Sequence, residues 1–287
     1  FSTYLLTIPK VSVLSGTNIT KIIPEPKNIT LFQGQYTLPD DISICVSTDI
    51  SSSEIVTNYF LNVLNSHTGK SSKTSICSND EVKANAGLHI YHENDIEHDG
   101  YILSVDNNGI IIKASSLSGF FYASQTLDQI IDSDLTIQYL HIDDAPRFQY
   151  RGVMLDVSRY FFNKTTIKLI LDEMAFYKMN VFHWHLTDDQ GWRIEIKKYP
   201  KLTTIGSKRD ASPLIKDRSR LDHVPYGPYF YTQEEIKEIV QYAKQLHIEV
   251  IPEIEMPGHG VAALAAYPEY SCTGGPFKTK CFWGISS

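Results

Sequence analysis

Three short apolar runs, separated by amphipathic segments, constrain this chain more than any other feature. Residues 150–156 (Y-R-G-V-M-L-D), 181–186 (V-F-H-W-H-L) and 249–254 (E-V-I-P-E-I) read as buried strands bounded by polar residues. Between the first two, Thr165 or Thr166 stands ready to cap a helix with Ile167, Ile170, Leu171, Met174 and Tyr177 on one face. Before the third, Thr232-Gln233-Glu234-Glu235 has the capping-box pattern and opens a helix to about Leu246. A further helix is expected at Val261–Ala266. Strand and helix alternating three times is the pattern of a parallel βα fold.

The preceding residues have a different rhythm. Residues 1–20 are Ser/Thr-rich and read as an edge strand or tail, and Ile23-Pro24-Glu25-Pro26 as a stiff extended stretch. Strand-like runs follow at 35–38, 42–47, 88–92, 101–105, 110–114 and 135–142, with a hairpin signal at Asn108-Gly109. Ser51-Ser52-Ser53-Glu54 opens a helix with Ile55, Tyr59, Phe60, Val63 and Leu64 on its apolar face, and residues 117–131 form a second helix. This order predicts an α+β support domain over residues 1–145, mostly antiparallel, and a βα domain over residues 146–287.

A formal charge of −7 and a pI near 5.8 argue against nucleic acid as a partner. No apolar run approaches the ~20 residues a bilayer demands. The chain begins at Phe1 without Met and reads as processed. Sequons at Asn18, Asn28 and Asn163 point to a secreted or lysosomal glycoprotein. So do four cysteines, whose local spacing favours Cys45–Cys77 and Cys272–Cys281 among three possible connectivities.

In a βα barrel, chemistry lies where strands end. Three ends are unusually polar here: Asp156-Val157-Ser158-Arg159, Asp188-Asp189-Gln190, and the stretch from Glu253 through Glu255 to His259. Arg151 sits inside an otherwise apolar run, and a buried guanidinium needs partners. His183 and His185 share one strand face, which raises an alternative reading as a metal-dependent βα-barrel hydrolase; core histidines satisfied by hydrogen bonds are favoured over it.

R-G-V-M-L-D-V-S-R-Y-F (151–161), H-W-H-L-T-D-D-Q-G-W-R (183–193), E-I-E-M-P-G-H (253–259) and S-C-T-G-G-P (271–276) resemble, in order, blocks of the family 20 glycoside hydrolases, the β-N-acetylhexosaminidases. The P-E-P opening resembles that family's N-terminal domain more loosely. The resemblance implies a (β/α)8 TIM barrel that removes terminal β-linked N-acetylglucosamine or N-acetylgalactosamine. It implies a retaining mechanism in which the substrate's own acetamido group attacks, giving an oxazolinium intermediate, with no metal and no cofactor. It assigns Arg151 to the sugar hydroxyls, and Asp188 with His259 to a dyad supporting the acid/base glutamate. Asp189 and Glu255 are secondary candidates.

One block of the family's pattern, the H-x-G-G-D-E carrying the Asp-Glu pair, does not occur in these 287 residues. The expectation is therefore an incomplete barrel, about three of eight strands, whose remainder lies in a second polypeptide segment. A barrel left at three strands exposes an unpaired edge. The complete enzyme is expected to be a homodimer acting on an N-acetylhexosaminide, with neither nucleic acid nor membrane as partner. A non-catalytic carbohydrate-binding fragment is the other alternative.

Overall fold

A computed structural model describes residues 22–50, 52–69, 73–77, 87–214 and 216–282. They divide into two compact units, residues 22–151 with Ala175–Lys178, and Gly152–Met174 with residues 179–282.

The first unit is a seven-stranded sheet with two helices. Its elements are β1 (Asn28–Thr37), β2 (Ser43–Ser47), α1 (Ser53–Thr68), β3 (Lys73–Cys77), β4 (Leu88–His92), β5 (Tyr101–Asp106), β6 (Gly109–Ala114), α2 (Leu117–Ile130) and β7 (Thr136–Asp144). The sheet order is β1-β7-β5-β6-β4-β2-β3. It is not mostly antiparallel: β1–β7, β7–β5 and β5–β6 are antiparallel, whereas β6–β4, β4–β2 and β2–β3 are parallel. In the parallel half, α1 carries the chain from β2 across to β3, as a parallel pair requires. Alternation is clean in β5, where Tyr101, Leu103 and Val105 are buried and their neighbours are not. On α1 the buried face is Val56, Phe60, Val63 and Leu64, with Ile55 turned outward at 47% exposure. The cap at Ser52 makes no side-chain hydrogen bond; Ser51 and the expected tail over residues 1–20 lie outside the described residues.

The second unit holds β8 (Gly152–Asp156), α3 (Lys164–Phe176), β9 (Val181–His185), the two-residue hairpin strands β10 (Thr187–Asp188) and β11 (Gly191–Trp192), α4 (Lys201–Thr204), α5 (Gln233–Gln245), β12 (Glu249–Glu253) and α6 (Val261–Ala266). β8, β9 and β12 form a parallel sheet with β9 central. Neither Thr165 nor Thr166 caps α3. Asn163 does, its Oδ1 accepting the Thr166 amide at 3.0 Å. The Thr232–Glu235 capping box forms in full.

Register lines the strands up in rows. Met154, His183 and Ile251 share one row; Asp156, His185 and Glu253 share the next, at the carboxyl ends. Residues one position away face the other side, where Phe182 and Trp184 are fully buried. No helix is long and apolar enough to cross a membrane among the described residues.

Cys45 is disulfide-bonded, and the side chain of its expected partner Cys77 lies outside the described residues. The expected Cys272–Cys281 bridge is not formed; both are free. The reason is local. Cys281 is pinned to the Asp189–Gln190 turn by the Lys280 amide on the Asp189 carbonyl and by Gln190 on the Phe282 carbonyl. Cys272 is exposed, in a turn closed by Ser271 on the Gly274 amide.

Candidate active site at the carboxyl ends of the parallel strands

The polar ends of β8, β9 and β12 converge. Asp156 closes β8, and the turn after it folds back so that its Oδ1 accepts the amides of Ser158 and Arg159, each at 3.0 Å. That turn aims Arg159 across the sheet end, where its guanidinium bridges Asp156 at 2.8 Å and Asp188 at 2.7 Å. One arginine fork held by two carboxylates is fixed in direction as well as charge.

Asp188 is the centre. It is 1% exposed, and around it lie Arg159, His185 Nε2 at 3.4 Å and His259 Nδ1 at 3.2 Å. Burial alone pushes its carboxyl up, but His185, the Asp189 amide, Arg159 and His259 outweigh that and hold it below the usual range. His185 shows the converse. Burial disfavours its charged form, yet Asp188, Asp156 and Glu253 together raise its pKa above the ordinary 6.5. On β12, Glu255 is raised, first by its hydrogen bond with Glu253, while Glu253 is lowered despite burial by Glu255, His185 and His183. The two carboxyls titrate as a pair, Glu255 being the more readily protonated of the two.

The hairpin bearing Asp188 is locked from behind. Arg193 is fully buried and donates to the carbonyls of Ser158 at 2.7 Å, Ser207 at 2.7 Å and Tyr229 at 3.0 Å. Gly191 is required beside it, because a Cβ there would collide with the guanidinium. His259 reaches the site from a backbone at φ +52, a left-handed conformation that costs a non-glycine residue about 1 kcal/mol.

Asp188, His259 and Glu255 are thus brought to one place. Asp189 adjoins them but is engaged by the backbone: its Oδ1 accepts the Val261 amide that starts α6, and His259 is 3.9 Å from its Oδ2. Arg151 is not in the group. It precedes β8, and its guanidinium donates to the carbonyls of Lys178 and Phe148 and to the Tyr122 hydroxyl. Trp192 packs with Leu202, Ala262 and Ala266 in the core. Asn28 and Asn163 are exposed, and Asn18 lies outside the described residues.

Sequence reasoning noted Arg159 only as part of a polar strand end and His185 only in the metal alternative, and gave neither a place beside Asp188. Strand-end position and register were the signals that could have found them.

Two sets of donors within 4.8 Å of one another could hold a cation, His185/Glu253/Glu255 and Asp188/Asp189/His259. His183 belongs to neither; its Nε2 meets Glu253 at 2.5 Å, so the two histidines do not act as a ligand pair.

Residues 148–285 match the glycosyl hydrolase family 20 catalytic domain, and residues 20–145 match domain 2 of the same family. The chain belongs to glycosyl hydrolase family 20. A β-hexosaminidase of Porphyromonas gingivalis is 40% identical over 92% of this chain and 34% of its own length. The Streptomyces plicatus N-acetyl-β-hexosaminidase, solved with a thio-NAglucal ligand, superposes with a TM-score of 0.79 at 32% identity, covering 94% of this chain and 52% of that one. A Vibrio harveyi family 20 exo-β-N-acetylglucosaminidase solved with N-acetylglucosamine gives 0.73 at 34% identity, covering 87% and 38%. The chain therefore spans about a third of the curated relative's length. Bacterial proteins dominate among the relatives, and a mouse β-hexosaminidase subunit is 36% identical over 55% of the chain.

Proposed function

We propose that the protein to which this chain belongs is an exo-acting β-N-acetylhexosaminidase. It removes terminal, non-reducing β-linked N-acetylglucosamine or N-acetylgalactosamine with retention of configuration. The observation that carries this reading is buried Asp188, ionised between Arg159, His185 and His259 at the carboxyl end of a parallel sheet. Such a centre supplies a fixed negative charge beside an imidazole, which is the support an acid/base glutamate needs to hold and release a proton near neutrality. Arg159, a planar fork at the strand ends, suits a grip on sugar hydroxyls; Arg151, which the resemblance assigns to that role, donates to the Lys178 and Phe148 carbonyls and the Tyr122 hydroxyl.

In this reading β8, β9 and β12 are the first three strands of an eight-stranded barrel. The remaining βα units, with the Asp-Glu pair, lie in the rest of the protein. The aspartate orients the substrate's acetamido group, whose carbonyl oxygen attacks the anomeric carbon while the glutamate protonates the leaving oxygen. Export from the cell fits the carbohydrate substrate. The mainly bacterial relatives favour secretion over a lysosomal address, and the complete enzyme acts as a homodimer.

The decisive experiment compares 4-nitrophenyl N-acetyl-β-glucosaminide with the plain β-glucoside on the full-length enzyme, with and without a chelator. Release from the acetamido sugar alone, unaffected by the chelator, is expected. Equal rates on both sugars would refute substrate assistance, and activity abolished by the chelator would favour a metal centre at one of the two donor sets.

A further inference from the structure

In the same unit as the acidic cluster, the chain builds a concavity that the reaction above does not use. It has a volume of about 750 Å³ and is walled by Tyr160, Phe161, Tyr226 and Tyr229. These rings hold one another: Phe161 stacks on Tyr229 at 5.5 Å, Tyr229 meets Tyr226 edge-on at 4.8 Å, and Tyr226 meets Tyr160 at 6.1 Å. Arg209 lies 3.9 Å over the Tyr226 ring, and the Tyr226 hydroxyl receives the Phe161 amide at 2.7 Å. The aromatic surface is therefore set in place before any ligand arrives.

Its polar groups are fixed too. Asp222, at the exposed side, accepts the amides of Ser212 at 2.8 Å and Val224 at 3.0 Å through one oxygen, and these amides hold its carboxyl below the usual range. Asn163 spends its carbonyl oxygen on the α3 cap, so its amide nitrogen is the group offered to the cavity. The cavity wall is tied to the turns that carry the acidic cluster. Tyr160 directly follows Arg159, and Arg209 joins Ser212 of the cavity wall to the Gln190 carbonyl beside Asp189.

We infer that this cavity is a carbohydrate subsite that takes a sugar ring further along the substrate chain from the scissile bond. Pre-set aromatic faces match the apolar C–H face of a pyranose, while an anchored carboxylate and an amide match its hydroxyl and acetamido groups. A volume of this size lies in the range of small-ligand pockets and holds one to two sugar rings. A protein segment would bury the Asp222 carboxylate, which a sugar hydroxyl instead satisfies. The inference rests on the glycosidase reading and adds a second point of contact to it.

The test uses the full-length enzyme made in a host without N-glycosylation, so that Asn163 stays bare. Two variants are compared with the parent, Tyr160→Ala, which removes a ring, and Leu214→Trp, which fills the space and keeps every ring. Substrates are a β-linked N-acetylglucosamine tetramer and 4-nitrophenyl N-acetyl-β-glucosaminide. Both variants are expected to lose about tenfold in kcat/KM on the tetramer, equivalent to about 1.4 kcal/mol, and to stay within about twofold of the parent on the small substrate. Unchanged tetramer kinetics in both variants would overturn the subsite. Equal losses on both substrates would also overturn it, marking the cavity as a seat for the rest of the protein. If the parent releases no N-acetylhexosamine from either substrate, the glycosidase reading falls and this inference with it.

Discussion

Replacing Arg193 by Met sets two large effects against each other. Burial depresses the pKa of the Arg193 guanidinium from 12.5 to about 10, so its charge costs the fold about 3 kcal/mol, which Met removes. Met also leaves the carbonyls of Ser158, Ser207 and Tyr229 without their shared donor. Each orphaned buried acceptor costs about 1–3 kcal/mol, so the loss exceeds the gain by about 3 kcal/mol at the middle of the range. Arg193→Lys is expected to fall between, since one ammonium cannot reach carbonyls on three separated segments. Urea unfolding followed by the fluorescence of Trp184 and Trp192, both in this unit, should place the Met midpoint about 1 M below the parent. Because Ser158 precedes Arg159, activity should fall as well, mainly in KM. A Met variant with parental midpoint and parental kinetics would show that Arg193 is not the clamp.

Other expectations follow from single groups. Asp188→Asn removes the main attraction raising the His185 pKa, so in NMR titration the His185 transition should move to lower pH. In the parent, His185 is raised in the fold, so its stabilising contribution is complete below pH 6.5 and is lost as pH rises through the raised value. An unmoved transition in Asp188→Asn would break the link. Lys178, buried in the first unit against Tyr101 and Asp144, is lowered to about 8. Because the unfolded chain binds this proton more tightly, stability should rise from pH 8 towards 10, by up to about 3 kcal/mol, and Lys178→Met should flatten that rise. A parent with no such rise refutes the assignment. Arg151→Ala should destabilise the fold by about 1–3 kcal/mol through the lost bonds to Lys178, Phe148 and Tyr122, with KM unchanged; a raised KM with parental stability would return it to the substrate.

Much of the architecture was readable because period and capping agree with the fold. The Thr232 capping box, the Val261–Ala266 helix and the three strand runs come from local rules that tertiary packing does not contradict. What escaped depends on partners distant in sequence. The parallel β2–β3 pair follows from the crossover by α1, and α3 is capped by Asn163, read first as a glycosylation acceptor. Cys272 and Cys281 are near in sequence, yet each is tied to a different turn. Trp192 stands in the same motif as the two carboxylates, yet its indole goes to the apolar face of α6, a contact set by packing distant in sequence.

The choice between Arg151 and Arg159, and between Asp188 and Asp189, shows where sequence reasoning stops. Each pair offers the same chemistry within one motif. Backbone demand separates them. Asp189 caps α6 through the Val261 amide, and Arg151 answers the Lys178 and Phe148 carbonyls. Their neighbours, Asp188 and Arg159, are left to answer each other at 2.7 Å, at the strand ends where a ligand arrives. If that division is right, Asp189→Asn should act mainly on stability and Asp188→Asn mainly on kcat, although the two residues adjoin. Reversed effects would mean that the α6 cap, and not the Arg159 pair, marks the catalytic carboxylate.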